Sequence, residues 1–332
     1  MENESMFKKI RKAIKHPIRA MDEVAFNYIY RLPVSIINSF YPIGTNVFDK
    51  EWDMLIILDT CRVDALKEIK DEYSFIQDIG RIRSVGGSSP EWIARTFDKN
   101  HVRQVENTTY ISANGFAERV LKDRYQSRSL TPLHRSLSLV STVTQEAVGD
   151  VEYVFDHEPV GENGPRGHKQ GATPPEYVTD KAIEYNRKDG SNRLILHYHQ
   201  PHSPWTANAL ADDRRLRQYE NDWWTYLTKT EDVETVWESY LSDLRYVLDD
   251  VETLLENVDA DKVIISADHG EAFGEYGILG HKIGSLHPKI RMVPWMVTTA
   301  EDTHSYTPTI EESSTMSDKE IDTQLEALGY KL

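Results

Sequence analysis

The chain has 332 residues, 39% of them hydrophobic, with seven Trp and seventeen Tyr, enough to fill the core of one large α/β domain. Its formal charge of −16 argues against nucleic acid as a partner and requires that any anionic substrate be met by locally placed cations. The single cysteine, Cys61, excludes an internal disulfide and a multi-cysteine zinc site.

Residues 1–45 read as an appendage. Phe7, Ile10, Ile14, Ile18 and Met21 recur at helical spacing, with Lys8, Lys9, Arg11, Lys12, Lys15 and Arg19 on the other face and Pro17 as a kink. A basic amphipathic segment in so acidic a chain suits either a helix packed on the domain or peripheral contact with an anionic membrane. Val34–Tyr41 is apolar but far too short to span a bilayer, and is expected to dock on the domain. The charged N-terminus lacks the apolar stretch of a signal peptide, and no run of about 18 apolar residues occurs, so a cytoplasmic protein is expected.

Residues 46–300 carry the alternation of a catalytic domain. Asp53–Asp59 reads as a buried strand that ends in an acid, and Thr60–Leu66 enters a helix. Asp59 is therefore either a helix N-cap or, with Thr60 available to cap, a metal ligand. Ser84–Ile93 combines Gly86 and Gly87 with Ser88, Ser89 and Pro90, a favoured first helical residue. A serine here faces the positive end of a helix dipole, which suits a nucleophile for an anionic group, whereas the plain alternative is an N-cap.

Thr108–Ser112 and Glu152–Phe155 read as strands, Gly115–Val120 and Glu176–Tyr185 as helices, and Glu158–Pro175 as a Gly- and Pro-rich loop. Arg193–His199 is a strand running into a turn where Pro201 and Pro204 flank His202. His197 and His199 share one strand face and read as core or rim residues. Trp237, Leu241, Leu244, Leu248, Val251 and Leu255 mark a long amphipathic helix covering one sheet face.

Lys262–Ala267 forms the strand that delivers Asp268 and His269 to the sheet edge where ligands bind in open α/β folds, with Gly270 for the turn. His281, Lys282, His287 and Lys289 follow in and after a glycine-studded loop. Arg291–Val297 is a further strand, in which Pro294 suggests an edge or a bulge. Residues 301–332 form a polar tail with a weak helix from about Asp318 to Leu328.

The pieces predict an α/β three-layer sandwich, a mostly parallel sheet with helices on both faces. Asp59, Asp268 and His269 converge as ligands of one divalent metal ion, Mn, Zn, Ca or Mg. Ser88 or Ser89 would attack a phosphoryl or sulfuryl centre. His202 and His281 are candidates for catalysis, and Arg62, Lys282 and His287 for substrate binding.

Leu58–Asp64 (Leu-Asp-Thr-Cys-Arg-Val-Asp) and Ser266–Glu275 (Ser-Ala-Asp-His-Gly-Glu-Ala-Phe-Gly-Glu) resemble the two ends of the alkaline phosphatase/sulfatase superfamily. The His202-Ser203-Pro204 turn, Gly280-His281 and Val293-Pro294 follow in the family's order, so the resemblance covers roughly residues 52–297. It implies a metal held by Asp59, Asp268 and His269 and completed by the nucleophile, with His202 and His281 near the substrate. The sulfatase pattern, with its nucleophile two residues before a proline, points to Ser88; the helix-cap geometry points to Ser89, the preferred choice.

The departures are informative. Sulfatases use a Cys or Ser within Cys/Ser-x-Pro-Ser-Arg, converted to formylglycine; here Glu91 and Trp92 follow Pro90, and Cys61 lies in the wrong stretch. Thr60 replaces the second member of the family's acid pair, which argues for one metal. The leading expectation is a metal-dependent hydrolase or transferase of phosphate esters, acting on a phosphodiester or a glycan or lipid headgroup. The alternatives are a sulfatase, a binding accessory of surface-polysaccharide assembly without turnover, and, less favoured, a phosphoglycerate mutase-like isomerase.

Overall fold

The structure, a computed structural model, describes residues 26–41, 43–122, 136–156, 172–188 and 193–309. Seven strands form one sheet: β1 (Met54–Leu58), β2 (Ile79–Arg83), β3 (Thr108–Ser112), β4 (Asp150–Tyr153), β5 (Arg193–Tyr198), β6 (Ala260–Ser266) and β7 (Met292–Ala300). Their spatial order is β2-β7-β6-β1-β5-β3-β4. β6, β1, β5, β3 and β4 are mutually parallel, and β7 is antiparallel to both β6 and β2. This is the expected alkaline phosphatase-like α/β architecture.

The helices that frame the sheet and its polar edge are α1 (Leu32–Phe40), α2 (Val63–Glu68), α3 (Ser89–Thr96), α4 (Phe116–Leu121), α5 (Pro175–Lys188), α6 (Trp223–Thr230) and α7 (Val233–Leu255). The three layers arise from the period-two alternation of the strands. In β1, Met54, Ile56 and Leu58 pack with residues of α5 and α7, while Leu55 and Ile57 pack with α3 and α4. β1 is covered on both faces, which is why it reads as a continuous apolar run rather than an alternating one. The long α7 starts on Asp232, whose side chain accepts from Thr235 N, and buries Val236, Tyr240, Leu244, Val247 and Val251 along one stripe.

The structure adds β2, which the sequence pattern hides because Gly80, Arg81 and Arg83 break its apolar alternation. It also corrects the reading of Pro294. β7 is not an edge strand but lies between β2 and β6. The β6–β7 ladder stops at Ser266 opposite Trp295, so Pro294 faces a partner only in β2, at Arg81. A missing N–H is tolerated there because one side of the strand is already unpaired.

Helix α1 docks on the domain as expected, but through polar residues: Arg31, Ser35 and Asn38 are the buried ones. The stretch Glu152–Phe155 is strand only to Tyr153 and then a 3₁₀ turn, Val154–Asp156. The basic stretch at 7–21, most of the loop at 158–175 and the helix expected at 318–328 lie outside the described residues. Residues 301–309 follow the domain without helix or strand, and Arg187 pairs with Asp302 at 2.8 Å and donates to Tyr306 O.

Candidate active site and metal centre

Four adjacent parallel strands end at the same edge of the sheet and deliver polar groups there. Asp59 follows β1, Asp268 follows β6, Asn114 follows β3, and His197 sits near the end of β5, in register with Ile57 and Ser112. This is the carboxyl edge at which α/β sheets place their ligands. The serine comes from outside this set, on the first turn of α3.

The turn after β1 is strained. Thr60, a β-branched residue, has φ 66°, a conformation that costs on the order of 1–3 kcal/mol. Tyr240 of α7 holds it: the phenol donates to Thr60 O at 2.8 Å and accepts from Arg62 N at 3.0 Å. Thr60 N donates to Asp268 Oδ1 at 3.3 Å, tying the two acid-bearing turns together. Asp59 caps nothing: the N-cap of α2 is Arg62, without a side-chain cap.

Gly86 and Gly270 are needed for close approach. A Cβ on Gly86 would lie 2.3 Å from Trp92 N, and one on Gly270 would lie 2.1 Å from Lys289 O. Glu91 organises the serine loop from below. Fully buried, it accepts from Gly87 N (2.8 Å) and Gly284 N (3.0 Å) and pairs with Arg95 at 3.1 Å. Burial alone would raise its pKa, but Arg95, Arg291 and the two amides outweigh that and keep it below the usual range.

Ser89 Oγ lies 3.3 Å from Asp59 Oδ2 and 3.3 Å from His269 Nε2. Ser88 occupies the N-cap position, is buried, and its Oγ has no hydrogen-bond partner. Of the two candidate serines, Ser89 is therefore the one brought to the acids. Asn114 Nδ2 donates to Asp59 Oδ2 at 2.8 Å, which leaves Asp59 Oδ1 without a hydrogen bond. Asp268 Oδ2 and His197 Nε2 are likewise buried without hydrogen-bond partners.

One ligand atom each of Asp59, His197 and Asp268 lies within 4.8 Å of the others, and His197 Nε2 is 3.6 Å from Asp268 Oδ2. His269 Nε2 flanks them, 3.3 Å from Asp268 Oδ2 and 3.6 Å from Asp59 Oδ1. Buried polar atoms are rarely left unsatisfied, and here the orphans converge. Burial, followed by the nearby Asp268 charge, holds Asp59 well above the usual carboxylate range. Burial also acts to raise Asp268, but His269 and His197 outweigh it and hold Asp268 below that range. Two carboxylates crowded in a dry site fit a divalent cation, whose charge would offset both.

The histidines form a connected tract. The His269 and His281 ring centroids are 4.3 Å apart, His281 and His202 are 5.1 Å apart, and His202 and His199 are 5.1 Å apart. Glu271 Oε2 holds His281 Nδ1 at 3.0 Å. Burial lowers His269 and His199 to about 4 and takes His202 well below its ordinary value, so these rings are neutral at pH 7.

Asp243 of α7 anchors the segment after the His202 turn by accepting from Thr206 N (2.7 Å) and Ala207 N (2.9 Å). Burial raises its pKa to about 7, against those two amides. Its folded value lies above the unfolded one of about 3.9, so the stability it contributes at low pH is lost as pH rises from about 4 to 7. Asp243→Asn keeps an acceptor and removes the charge. Urea unfolding should show the variant gaining on the wild type by at least about 1.4 kcal/mol between pH 4 and pH 8; a pH-independent difference would contradict this.

The expected substrate-binding residues fare differently. Arg62 is committed elsewhere: it grips Asp64 (2.9 and 2.6 Å), reaches Glu275 at 2.7 Å and Glu271 O at 3.2 Å, and lies 4.8 Å from the Trp237 ring. With its side chain 5% exposed, it staples the turn rather than facing a ligand. His287 caps a short turn by accepting from Lys289 N and meets the Tyr276 ring at 5.4 Å. Among the described residues, no hydrogen bond or ring contact joins it to the acid–imidazole cluster. Lys282 lies over the Trp224 ring at 5.0 Å, beside His281 in the chain.

Residues 95–330 match the sequence model of the family described as Sulfatase. The chain belongs to the sulfatase family, within the alkaline phosphatase/sulfatase superfamily. No curated protein sequence matches it. Several solved structures are similar. The soluble domain of lipooligosaccharide phosphoethanolamine transferase A from Neisseria meningitidis is 16% identical, with a TM-score of 0.46, over 73% of this chain and 75% of that one. The C-terminal periplasmic domain of a phosphoethanolamine transferase from Campylobacter jejuni is 13% identical, with a TM-score of 0.43, over 74% and 77%. A protein of the alkaline phosphatase superfamily from Vibrio parahaemolyticus is 11% identical, with a TM-score of 0.37, over 90% and 74%.

The span matched to the sulfatase family begins after Asp59 and Ser89, so the case for those two residues rests on geometry. Sequence reasoning missed His197, Asn114 and Glu271 as parts of this candidate site. His197 carried one available signal: it stands one turn of alternation before His199 near the carboxyl end of a central strand. Its Nδ1 lies 2.8 Å from the Tyr110 hydroxyl, a contact that orients Nε2 toward the acids. Asn114 had no signal, because nothing in a single asparagine between Ala113 and Gly115 marks it.

Proposed function

We propose that this sulfatase-family protein is a metal-dependent transferase or hydrolase of phosphate esters, with Ser89 as nucleophile. The observation that carries the reading is the position of Ser89 Oγ, 3.3 Å from both Asp59 Oδ2 and His269 Nε2, beside the unpaired oxygens of Asp59 and Asp268. Asp59, His197, Asp268 and His269 would hold the cation, and two imidazoles beside two carboxylates favour zinc or manganese over calcium or magnesium. When bound, it would neutralise charge on the phosphoryl oxygens and favour the serine alkoxide.

The protein's own groups do the rest. Ser89 Oγ forms a bond to phosphorus and gives its proton to Asp59 Oδ2, while the bond from phosphorus to the leaving oxygen breaks. His202 and His281 lie along the imidazole tract as proton donors to that oxygen. Burial keeps His202 neutral at pH 7, and an incoming phosphoryl anion raises its affinity for a proton. Water or an acceptor hydroxyl then attacks the phosphoserine, and Ser89 regains its proton. Glu271 acts as a positioning residue that aims His281.

Phosphate is preferred to sulfate because the formylglycine pattern is absent. Glu91, where that pattern has a different residue, is turned inward and spent on Gly87, Gly284 and Arg95. A panel of aryl phosphate, bis-aryl phosphodiester and aryl sulfate, assayed with zinc or manganese, tests the reading. Turnover of a phosphate substrate, with a phosphoryl adduct on Ser89 in trapped peptides, is expected. Turnover of the sulfate alone would replace this reading with a sulfatase.

A further inference from the structure

Helix α1 is inside out. Arg31, Ser35 and Asn38 recur at i, i+4 and i+7 and form its buried stripe. Ser35 Oγ meets Ser136 Oγ at 2.7 Å, Asn38 donates to Glu91 at 3.2 Å, Arg95 donates to Ser35 O, and Arg31 donates to Ile283 O at 2.9 Å. The opposite side is apolar and faces solvent: Ile29 is 77% exposed, Ile37 56%, Phe40 63% and Tyr41 76%, with Tyr30 and Ile36 beside them. Scattered apolar residues on a surface need no explanation, but six in one short segment, on a helix that spends its polar residues inward, mark an interaction face.

We infer that this face of α1 is a docking surface for an anionic lipid bilayer. Three observations favour a bilayer over a protein. The helix Leu32–Phe40 contains no charged residue, so it offers a second protein no salt bridge to read. Tyr30 and Tyr41 lie near the two ends of the patch, and such rings settle at the headgroup level. The chain just before it, residues 8–19, carries Lys8, Lys9, Arg11, Lys12, Lys15 and Arg19 and no acid, in a protein whose net charge is −16. An apolar patch and an adjoining basic run are the two signals that together hold a protein at a lipid surface. No helix among the described residues is long and apolar enough to cross a membrane. The same helix braces Glu91 and Arg95 under the Ser89 loop and the backbone of the loop bearing His281, so docking would orient the candidate active site at the surface.

The test uses the full chain and does not depend on turnover. Flotation with phosphatidylcholine vesicles, with and without added phosphatidylglycerol, should show binding that requires the anionic lipid and weakens as salt is raised. The double variant Ile37→Glu, Phe40→Glu should bind at least tenfold more weakly with an unchanged melting temperature. Phe40→Trp, a milder change, should show a blue-shifted and enhanced tryptophan emission on adding the same vesicles. Absence of wild-type flotation, equal binding by the double variant, or no emission change would overturn the proposal. So would a concentration-dependent dimer that the double variant abolishes, because it would assign the face to a second copy of the chain.

Discussion

Ser89→Ala is expected to lower kcat on a phosphate ester by about 10⁴-fold or more, ~5 kcal/mol of barrier, while Ser88→Ala keeps activity within about tenfold. The two residues are neighbours and both are buried, so a general effect of disturbing the helix start would hit them alike. Their surroundings differ. Ser89 Oγ has Asp59 and His269 at 3.3 Å, whereas Ser88 Oγ has no hydrogen-bond partner. Removing the Ser89 oxygen deletes the atom that would bond to phosphorus. Removing the Ser88 oxygen takes away an unsatisfied buried group, which costs little or even helps stability. Steady-state kinetics of both variants, with melting temperatures as the fold control, decide the matter. If Ser88→Ala is the dead variant and Ser89→Ala is active, the assignment is reversed.

Asp268→Asn is expected to abolish turnover and to reduce bound divalent metal, measured by elemental analysis after dialysis, by at least tenfold. The amide keeps the size of the side chain but removes the charge that would face the cation. Asp268 also accepts from Thr60 N and His269 N, and one amide oxygen can still meet those donors, so the variant should fold. His197→Ala should also lose metal while leaving the Ser89 contacts to Asp59 and His269 in place. Its ring also lies against Trp92 and Tyr110, so the melting temperature of this variant is the control for lost packing. Chelation of the wild type should mimic Asp268→Asn and lower the melting temperature, because a ligand bound only by the folded state stabilises it by mass action. Full metal content and activity in Asp268→Asn would remove the proposed centre.

The architecture was legible because the central strands are buried on both faces. The stretches 54–58, 194–196 and 263–265 are apolar runs with little ambiguity, and each is followed at once by a polar residue, Asp59, His197 and Ser266. β2 was not legible, because an outer strand with Gly80 and two arginines has no pattern that burial must enforce. Helix α1 misled in a different way. Its apolar composition does not say which side of the helix meets the domain, and it is the polar side with Ser35 and Asn38 that does. Arg62 misled because a motif arginine near an acidic site has two uses, and only the positions of Asp64, Glu275 and Trp237 separate them.

The order of residues along the chain by itself determined that acids and histidines stand at the carboxyl ends of strands, and that the chain resembles one superfamily. That much comes from local periodicity, since a buried strand must end before a charge can be solvated or paired. The tertiary structure alone decided which of them meet. His197 joins Asp59 and Asp268 because β5 pairs with β1 in the register that sets His197 level with Ile57. Ser89 rather than Ser88 reaches them because Ser88 remains extended and Ser89 is the first residue to turn into α3. Successive side chains point in different directions, and which one faces the cluster depends on the dihedral angles at the junction, where Glu91 of the same helix turn accepts from Gly87 N and, from across the fold, Gly284 N.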